Sequence, residues 1–280
     1  MQKNNQIITK EKSINFPKLF KGKKGPSSMF PVLYVSTGSN VYGLSNTQND
    51  EYAGIHFTST LNYLQHPDFK VKTDILRLSY NDKYNLVLED HPERLFGITS
   101  FEISKFISLY TRSSIVVYDI LYLSPMYVNP EMIDIVDKLK EGITNRIGLS
   151  AKTYVLNNWQ KDRTNQKRII MSYYRLLQAI TFLRDEEYVS DASALWEEFP
   201  KFHRFTYGKE LFQKFKNSDF EKIKLTEREI TGTARELEDL IDEVNKASIT
   251  TRLPDTSPKD ILSSLLSSMI QKRLNFINED

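Results

Sequence analysis

The chain has 280 residues, of which 40% are hydrophobic and 12% aromatic, and its formal net charge is +2. This composition predicts an ordered globular protein that forms its core without disulfides. Because the sequence contains no cysteine, it excludes a disulfide framework, a thiolate zinc site and a cysteine nucleophile. With no apolar leader and no uncharged stretch of about 18 residues, we expect a cytoplasmic protein without a membrane partner.

The first tenth of the chain is basic. Its lysines flank a Gly-Lys-Lys-Gly-Pro-Ser-Ser stretch, which predicts a flexible basic arm over residues 1–27. Such an arm is either a solvated terminus or a contact surface for nucleic-acid phosphates. These lysines include Lys10, Lys12, Lys18, Lys21, Lys23 and Lys24.

Four extended segments follow the arm. Residues 29–36 form an apolar run rich in Val and Tyr that stops at a Thr-Gly-Ser turn, which is typical of a buried strand. Residues 52–57 form a second run, and the two predict neighbouring strands. Residues 73–80 and 84–89 flank an Asn-Asp-Lys turn signal and predict a hairpin.

From about residue 99 the apolar period changes from that of strands to that of helices. Thr99 and Glu102 match a capping box, which predicts a helix that begins there, with Glu102 as a capping residue. Asn129 followed by Pro130 predicts another helix start, with proline in the first turn. Asp119 lies within an apolar helix and is predicted to form a partly buried ion pair, with Arg112 as the candidate partner.

Most of the remaining chain carries helical patterns. Residues 168–183 and 226–248 have continuous apolar stripes, and Ser257 begins a last helix with Ile261, Leu265, Met269 and Ile270 on its core face. We assign residues 188–224 to irregular structure. The pattern predicts a sheet-containing first half and a helical second half.

The turn after the first strand is the most informative segment. Residues 38–44 read GSNVYGL, and the acidic pair Asp50 and Glu51 follows one loop later. A strand that ends in Gly-Ser and turns into a short helix offers backbone N–H groups and a hydroxyl to an anion. The combination indicates a binding site for a phosphate.

These segments resemble the DNA polymerase beta-like nucleotidyltransferase superfamily, in particular a stand-alone bacterial and phage branch of which some members belong to RNA-repair operons. The branch has the pattern GSxxYGL, then SDxDxxG, then a third acid on a later strand. Residues 38–44 match the first motif at all its fixed positions. The resemblance extends over about residues 29–275 through ITSFEISKFISL, SSIVVYDILYLSP, RIIMSYYRLLQAI and TRLPDTSPKDILSSLL.

The resemblance implies an α+β fold and a set of nucleotide-binding residues. A small mixed β-sheet nucleotidyltransferase-like domain over residues 28–125 would precede a helical domain over 126–280. In the family the serine hydroxyl contacts the triphosphate. The implied nucleotide- and phosphate-binding residues are Gly38, Ser39, Tyr42, Lys167, Arg168 and Arg175.

The family's catalytic acids are matched only in part. Three carboxylates hold two Mg²⁺ ions in the family, and the resemblance puts Asp50 at the first acid, Tyr52 at the second and Gly97 at the third. Because strand residues alternate between faces, Glu51 would join Asp50 as a metal ligand only through a bulge. One carboxylate cannot offset the repulsion between two divalent ions, which predicts impaired catalysis.

Three functional hypotheses follow. The first is a nucleotidyltransferase-like protein of phage or mobile-element context that is catalytically impaired and binds a nucleotide or a protein partner. The second is an active Mg²⁺-dependent enzyme that moves a nucleoside monophosphate from a nucleoside triphosphate to a hydroxyl of RNA, protein or a small molecule. Its catalytic metal ligands would be Asp50, a repositioned Glu51 and an unidentified third acid. The third is nucleic-acid binding through the basic arm.

Overall fold

The computed structural model describes an α+β chain, as predicted. The described residues are 14–20, 29–38, 41–44, 50–58, 75–80, 86–87, 95–197, 205–217, 223–256, 262–264, 267–268 and 271.

The described strands form one six-stranded sheet of mixed direction. β2 and β5 are its one parallel pair, and they lie at its centre. The strands are β1 (Met29–Thr37), β2 (Asp50–Thr58), β3 (Ile75–Tyr80), β4 (Leu86–Val87), β5 (Phe96–Glu102) and β6 (Pro125–Val128), in the order β4-β3-β5-β2-β1-β6. The predicted neighbouring strands are confirmed as the antiparallel pair β1 and β2, and the predicted hairpin as the pairing of β3 with β4.

The predicted helix start at Thr99 is wrong. Thr99 lies inside β5, paired with Ala53 of β2 on one side and Arg77 of β3 on the other. The helix begins four residues later at Ile103, and its N-cap is Glu102, whose carboxylate accepts a hydrogen bond at 2.7 Å from the backbone N–H of Ser104. Pairing on both edges of a segment rich in aromatic and β-branched residues outweighs the local capping pattern.

The other described elements are helices. They are α1 (Phe16–Phe20), α2 (Ile103–Tyr110), α3 (Ile115–Tyr122), α4 (Ile133–Glu141), α5 (Ile147–Trp159), α6 (Gln166–Asp185), α7 (Ala192–Glu197), α8 (Thr206–Asn217) and α9 (Glu227–Thr250), with a short 3₁₀ helix at Pro130–Met132. None of the described helices combines the length and the hydrophobicity that a membrane crossing requires.

The predicted helix starts at Asn129 and Thr226 are confirmed. The Asn129 side chain accepts a hydrogen bond from the backbone N–H of Glu131, and Thr226 forms a complete capping box with Glu229. Residues 262–264, 267–268 and 271 are helical. The side chains predicted for the core face of that last helix lie outside the described residues.

The assignment of residues 188–224 to irregular structure is wrong for α7 and α8. Gly208 weakens the helical pattern of α8 in the sequence. Packing requires a glycine at this position, because a β-carbon there would lie 2.6 Å from the Tyr173 ring. α5 was not predicted either. It buries residues at every fourth position from Ile147 to Trp159, but the exposed Leu149 and Leu156 obscure that stripe in the sequence.

The sheet separates two hydrophobic cores. The larger one joins residues of β1 and β2, such as Val35 and Ile55, to residues of the helices that follow. The smaller one lies on the other face and consists of Phe16, Met29, Tyr34, Tyr52, Tyr80, Phe96 and Ile98. Because the larger core contains residues from before and after position 125, and β6 extends the sheet to Val128, the division into domains at residue 125 stays a prediction.

Part of the predicted flexible arm is packed onto the sheet. Phe16 of α1 is fully buried, and its ring stacks on Tyr34 with centroids 4.5 Å apart. It also meets the ring of Tyr52 edge-on at 5.8 Å. The other residues of the arm, 1–13 and 21–27, lie outside the described residues.

A buried carboxylate holds the beginning of α8. Glu236 of α9 accepts hydrogen bonds from the backbone N–H groups of Tyr207 and Gly208, at 2.9 and 2.8 Å, and from the Tyr173 hydroxyl at 2.7 Å. Burial raises the pKa of the Glu236 carboxyl above its ordinary value of 4.5, although these hydrogen bonds act in the opposite direction.

Glu236 is therefore expected to make stability fall as the pH rises. Just above pH 4.5 the folded state binds more protons at this carboxyl than the unfolded state does, so the free energy of unfolding decreases with rising pH in that window. We expect the free energy of unfolding of the Glu236→Gln variant, relative to that of the wild type, to increase as the pH rises. Urea unfolding between about pH 4 and about pH 7 measures this difference.

Glu229 provides a control of opposite sign. Hydrogen bonds from Lys214 and Thr226 lower the pKa of its carboxyl to about 2, so the stability it contributes is lost as the pH falls towards that value. The free energy of unfolding of the Glu229→Gln variant, relative to that of the wild type, should therefore decrease as the pH rises. A pH-independent difference between wild type and Glu236→Gln would contradict the assignment for Glu236.

Candidate functional site

The chain leaves the sheet through a left-handed glycine. β1 ends at Thr37, and Gly38 follows with φ of +94°. A β-carbon at position 38 would lie 3.2 Å from the Cβ atom of Glu51, so glycine is needed both for the conformation and for the close approach. The N–H of Tyr42 donates to the Gly38 carbonyl at 3.3 Å. Ser39 lies outside the described residues, and its contact with a phosphate stays a prediction.

Glu51 lies on the face of β2 that meets this turn, and β2 has no bulge at that position. β2 pairs with β5 in continuous register from Asp50 to His56, and the register shift between β1 and β2 falls at Pro31–Leu33, away from the acidic pair. The expectation that only a bulge would bring Glu51 to the site is therefore wrong. Glu51 packs against Gly38 in a regular strand, on the same side as Ala53 and the larger core.

The opposite face of β2 is filled with aromatic rings. Tyr52, the position implied for the second acid, is buried between Phe16 and Phe96, with each ring pair edge-on at 5.8 Å. The backbone of Asp50 pairs with Phe96 in the register. The roles of Asp50 and Glu51 as metal ligands stay predictions.

The register neighbours of Glu51 carry no carboxylate. On β1 it pairs with Thr37, and on β5 it pairs with Gly97, the position implied for the third acid. Within the described ranges, no group of three or more His, Cys, Asp or Glu side chains could hold a metal ion.

The far end of the turn is joined to a buried ion pair. Tyr42 is buried, and its hydroxyl donates to Asp119 of α3 at 2.8 Å. Asp119 also accepts two hydrogen bonds from the guanidinium of Arg175 in α6, at 2.8 and 2.5 Å, and one from the Tyr188 hydroxyl at 2.5 Å. The predicted ion pair of Asp119 is confirmed, but its partner is Arg175, and the expected partner Arg112 is exposed.

Arg175 is held in a cage of rings. Its guanidinium lies 5.2 Å from the ring centres of Tyr42 and Tyr174 and 5.9 Å from that of Tyr154. Burial lowers the pKa of Arg175, but the carboxylate of Asp119 together with the neighbouring Tyr42 and Tyr174 outweighs burial and holds the pKa above its ordinary value. The guanidinium predicted to contact a phosphate is thus charged and bound to Asp119.

Lys167 and Arg168 lie at the amino end of α6. Arg168 lies seven positions before Arg175, which corresponds to about 10 Å along the helix axis. Asn165 caps this end and accepts a hydrogen bond from the backbone N–H of Arg168 at 3.0 Å. Lys167 is exposed and Arg168 is half-buried. The phosphate-binding roles of both residues stay predictions.

The connection between α6 and α7, residues 186–191, was missed in the sequence. We call it the strap. The Tyr174 hydroxyl donates to the carbonyl of Ser190 in the strap at 3.0 Å, and the side-chain amide of Gln178 donates to the carbonyl of Val189 at 3.2 Å. The segment has no periodic pattern, and Glu186 begins it with a φ of +58°, so no sequence signal pointed to its place beside the turn.

Comparison with known proteins gives a distant structural likeness. No family model matches the chain, and no curated protein matches it. Among solved structures it is similar to a nucleotidyltransferase-like protein from Exiguobacterium sibiricum 255-15, with 11% sequence identity and a TM-score of 0.26. The match covers 78% of this chain and 72% of that protein. A likeness this loose carries no argument about activity or ligands.

Proposed function

We propose that this chain is a catalytically impaired nucleotidyltransferase-like protein that binds a nucleoside triphosphate at the turn of residues 38–44, alone or together with a protein partner. One observation carries the proposal. The left-handed Gly38 lies against the Cβ and Cγ atoms of Glu51, and the register neighbours of Glu51 are Thr37 and Gly97.

The sheet register supports a different alignment of the family's acids. Counted back from Gly54, the pattern SDxDxxG puts the first two acids at Asn49 and Glu51. Glu51 and Gly97 are register neighbours on one face, whereas Tyr52 belongs to the core of the other face. Under this alignment one of the three acid positions, Glu51, keeps its carboxylate.

Charge repulsion explains why a single carboxylate favours binding without transfer. Two divalent ions about 4 Å apart repel each other by about 16 kcal/mol at an effective dielectric constant of about 20. One carboxylate offsets only part of that repulsion. A single Mg²⁺ ion needs no such compensation, because one carboxylate and the phosphate oxygens of the nucleotide can bind it together.

We expect the purified protein to bind a nucleoside triphosphate in the presence of Mg²⁺ and to transfer no nucleoside monophosphate. Calorimetric titration measures the first property, and incubation with α-labelled nucleoside triphosphates, Mg²⁺ or Mn²⁺, RNA and protein measures the second. Gly38→Ala should weaken binding by about tenfold, because a left-handed alanine costs about 1–2 kcal/mol. Asp137→Ala, on the exposed surface of α4, is the control and should bind like the wild type.

A second function, active nucleotidyl transfer, is favoured by the position of Glu51 against Gly38. In that case Mg²⁺ would be held by Glu51 and by the triphosphate. Neighbouring residues of a regular strand face opposite sides, so the predicted role of Asp50 as a second ligand needs a rearrangement of the strand end. Label transfer that disappears in Glu51→Gln would establish this function and contradict impaired catalysis, and its loss in Asp50→Asn as well would show that Asp50 joins the site. Nucleic-acid binding through the basic arm stays a prediction from the sequence.

A further inference from the structure

The carboxyl end of the nucleotide-binding turn is fixed by the helices. Tyr42 meets them at three points: its hydroxyl donates to Asp119, its ring lies 4.9 Å from that of Tyr174, and its carbonyl accepts a hydrogen bond at 3.0 Å from the N–H of Ala192. These contacts involve both the side chain and the backbone. Tyr42 therefore cannot shift without disturbing α3, α6 or the beginning of α7.

The next residue of the turn packs against the strap. Gly43 has a φ of +67°, and a β-carbon there would lie 3.6 Å from a carboxylate oxygen of Asp191. Asp191 in turn accepts a hydrogen bond at 3.0 Å from the N–H of Ala194 in the first turn of α7. The strap thus lies against the backbone that follows Tyr42.

One carboxylate connects these elements. Asp119 accepts hydrogen bonds from Tyr42 in the turn, from Arg175 in α6 and from Tyr188 in the strap. Its side chain is 4% exposed and that of Arg175 is 6% exposed. Because the pair is buried, loss of the Asp119 charge would disturb every hydrogen bond that converges on it.

The two ends of the turn are therefore anchored to different parts of the fold. Gly38 is fixed by the close approach of β2 at Glu51, whereas Tyr42 is fixed by the network around Asp119. Ser39, which is expected to contact phosphate, lies between these anchors in the sequence. The geometry of phosphate binding at the turn should depend on the distance between the anchors. Protein groups that are displaced from the phosphate contribute much less to binding.

We infer that Asp119 and Tyr188 are positioning residues for the nucleotide-binding turn, and that the strap regulates nucleotide affinity through them without touching the nucleotide. This inference rests on the proposed nucleotide binding. It adds a specific mechanism: the helices and the strap hold the turn in its binding conformation, and release of the strap lowers affinity.

The test compares Tyr188→Phe and Asp119→Asn with a matched control. Tyr188→Phe removes one hydroxyl from Asp119 and leaves the ion pair with Arg175 in place. Tyr173→Phe is the control, because it removes a hydroxyl from another buried carboxylate, Glu236. Tyr188→Phe is expected to weaken Mg²⁺·ATP binding by about tenfold, Asp119→Asn by more, and Tyr173→Phe not at all.

A second measurement does not depend on nucleotide. Amide hydrogen exchange followed by mass spectrometry should show faster exchange of residues 38–44 and 186–192 in Tyr188→Phe and Asp119→Asn, and unchanged exchange there in Tyr173→Phe. Unchanged exchange at residues 38–44 in both variants would overturn the inference. Equal loss of affinity in Tyr188→Phe and Tyr173→Phe would overturn it as well, since that result reports general destabilisation.

The two proposals fail in different ways. If the wild-type protein binds no nucleoside triphosphate, the nucleotide-binding function is wrong, while exchange at residues 38–44 still decides whether Asp119 and Tyr188 hold the turn. If the wild type binds and Tyr188→Phe binds equally well, nucleotide binding stands and the positioning role is rejected.

Discussion

Asp119→Ala is expected to lower the free energy of unfolding by about 3–5 kcal/mol, because it leaves the buried guanidinium of Arg175 without its carboxylate. The same change removes the acceptor of the Tyr42 and Tyr188 hydroxyl groups. Urea unfolding followed by circular dichroism measures the difference from the wild type. Asp137→Ala is the matched control, since its ion pair with Lys140 is on the surface and should contribute less than about 1 kcal/mol.

The double variant Asp119→Leu with Arg175→Met separates the cost of an unpaired charge from the value of the pair. Replacing a buried ion pair with apolar side chains is often close to neutral, so the double variant should recover much of the stability that Asp119→Ala loses. If Asp119→Ala costs no more than Asp137→Ala, Arg175 is not held as an ion pair in this core.

Two copies of one sequence pattern mark the limit of what could be predicted from local signals. Thr226 with Glu229 and Thr99 with Glu102 share the spacing of a capping box, and the first pair begins α9 as predicted. The second pair lies in β5, between β2 and β3. Hydrogen-bond partners on both edges, which come from distant parts of the chain, decide between strand and helix there.

In the candidate site, too, local features could be predicted from the sequence, whereas contacts between distant segments could not. Gly38 and its turn could be predicted because the Gly-Ser signal is local, and the opposite faces of neighbouring strand residues follow from strand geometry alone. Which of those faces holds the site depends on the pairing of Thr37 with Glu51. The partner of Asp119 depends on how α3 and α6 pack, since Arg175 is 56 residues away in the chain. Sequence proximity favoured Arg112 for that reason.

Gly54→Ala is expected to destabilise the fold by about 3 kcal/mol through steric overlap. Gly54 has an ordinary strand conformation in β2, but a β-carbon there would lie 2.3 Å from the Leu33 carbonyl oxygen and 2.3 Å from the Tyr34 ring. The ring cannot move easily, because its hydroxyl is hydrogen-bonded to Ser100 at 2.5 Å and its face stacks on Phe16.

Gly43→Ala is the contrasting variant, because it has room for the β-carbon but the wrong conformation. Its nearest neighbour would be 3.6 Å away, while its φ of +67° is strained for alanine, which should cost about 1 kcal/mol. Urea unfolding of both variants measures the difference, and a Gly54→Ala variant as stable as Gly43→Ala would refute the overlap. Gly54 thus has a packing role in this chain, because its missing β-carbon leaves room for the Leu33 carbonyl and the Tyr34 ring.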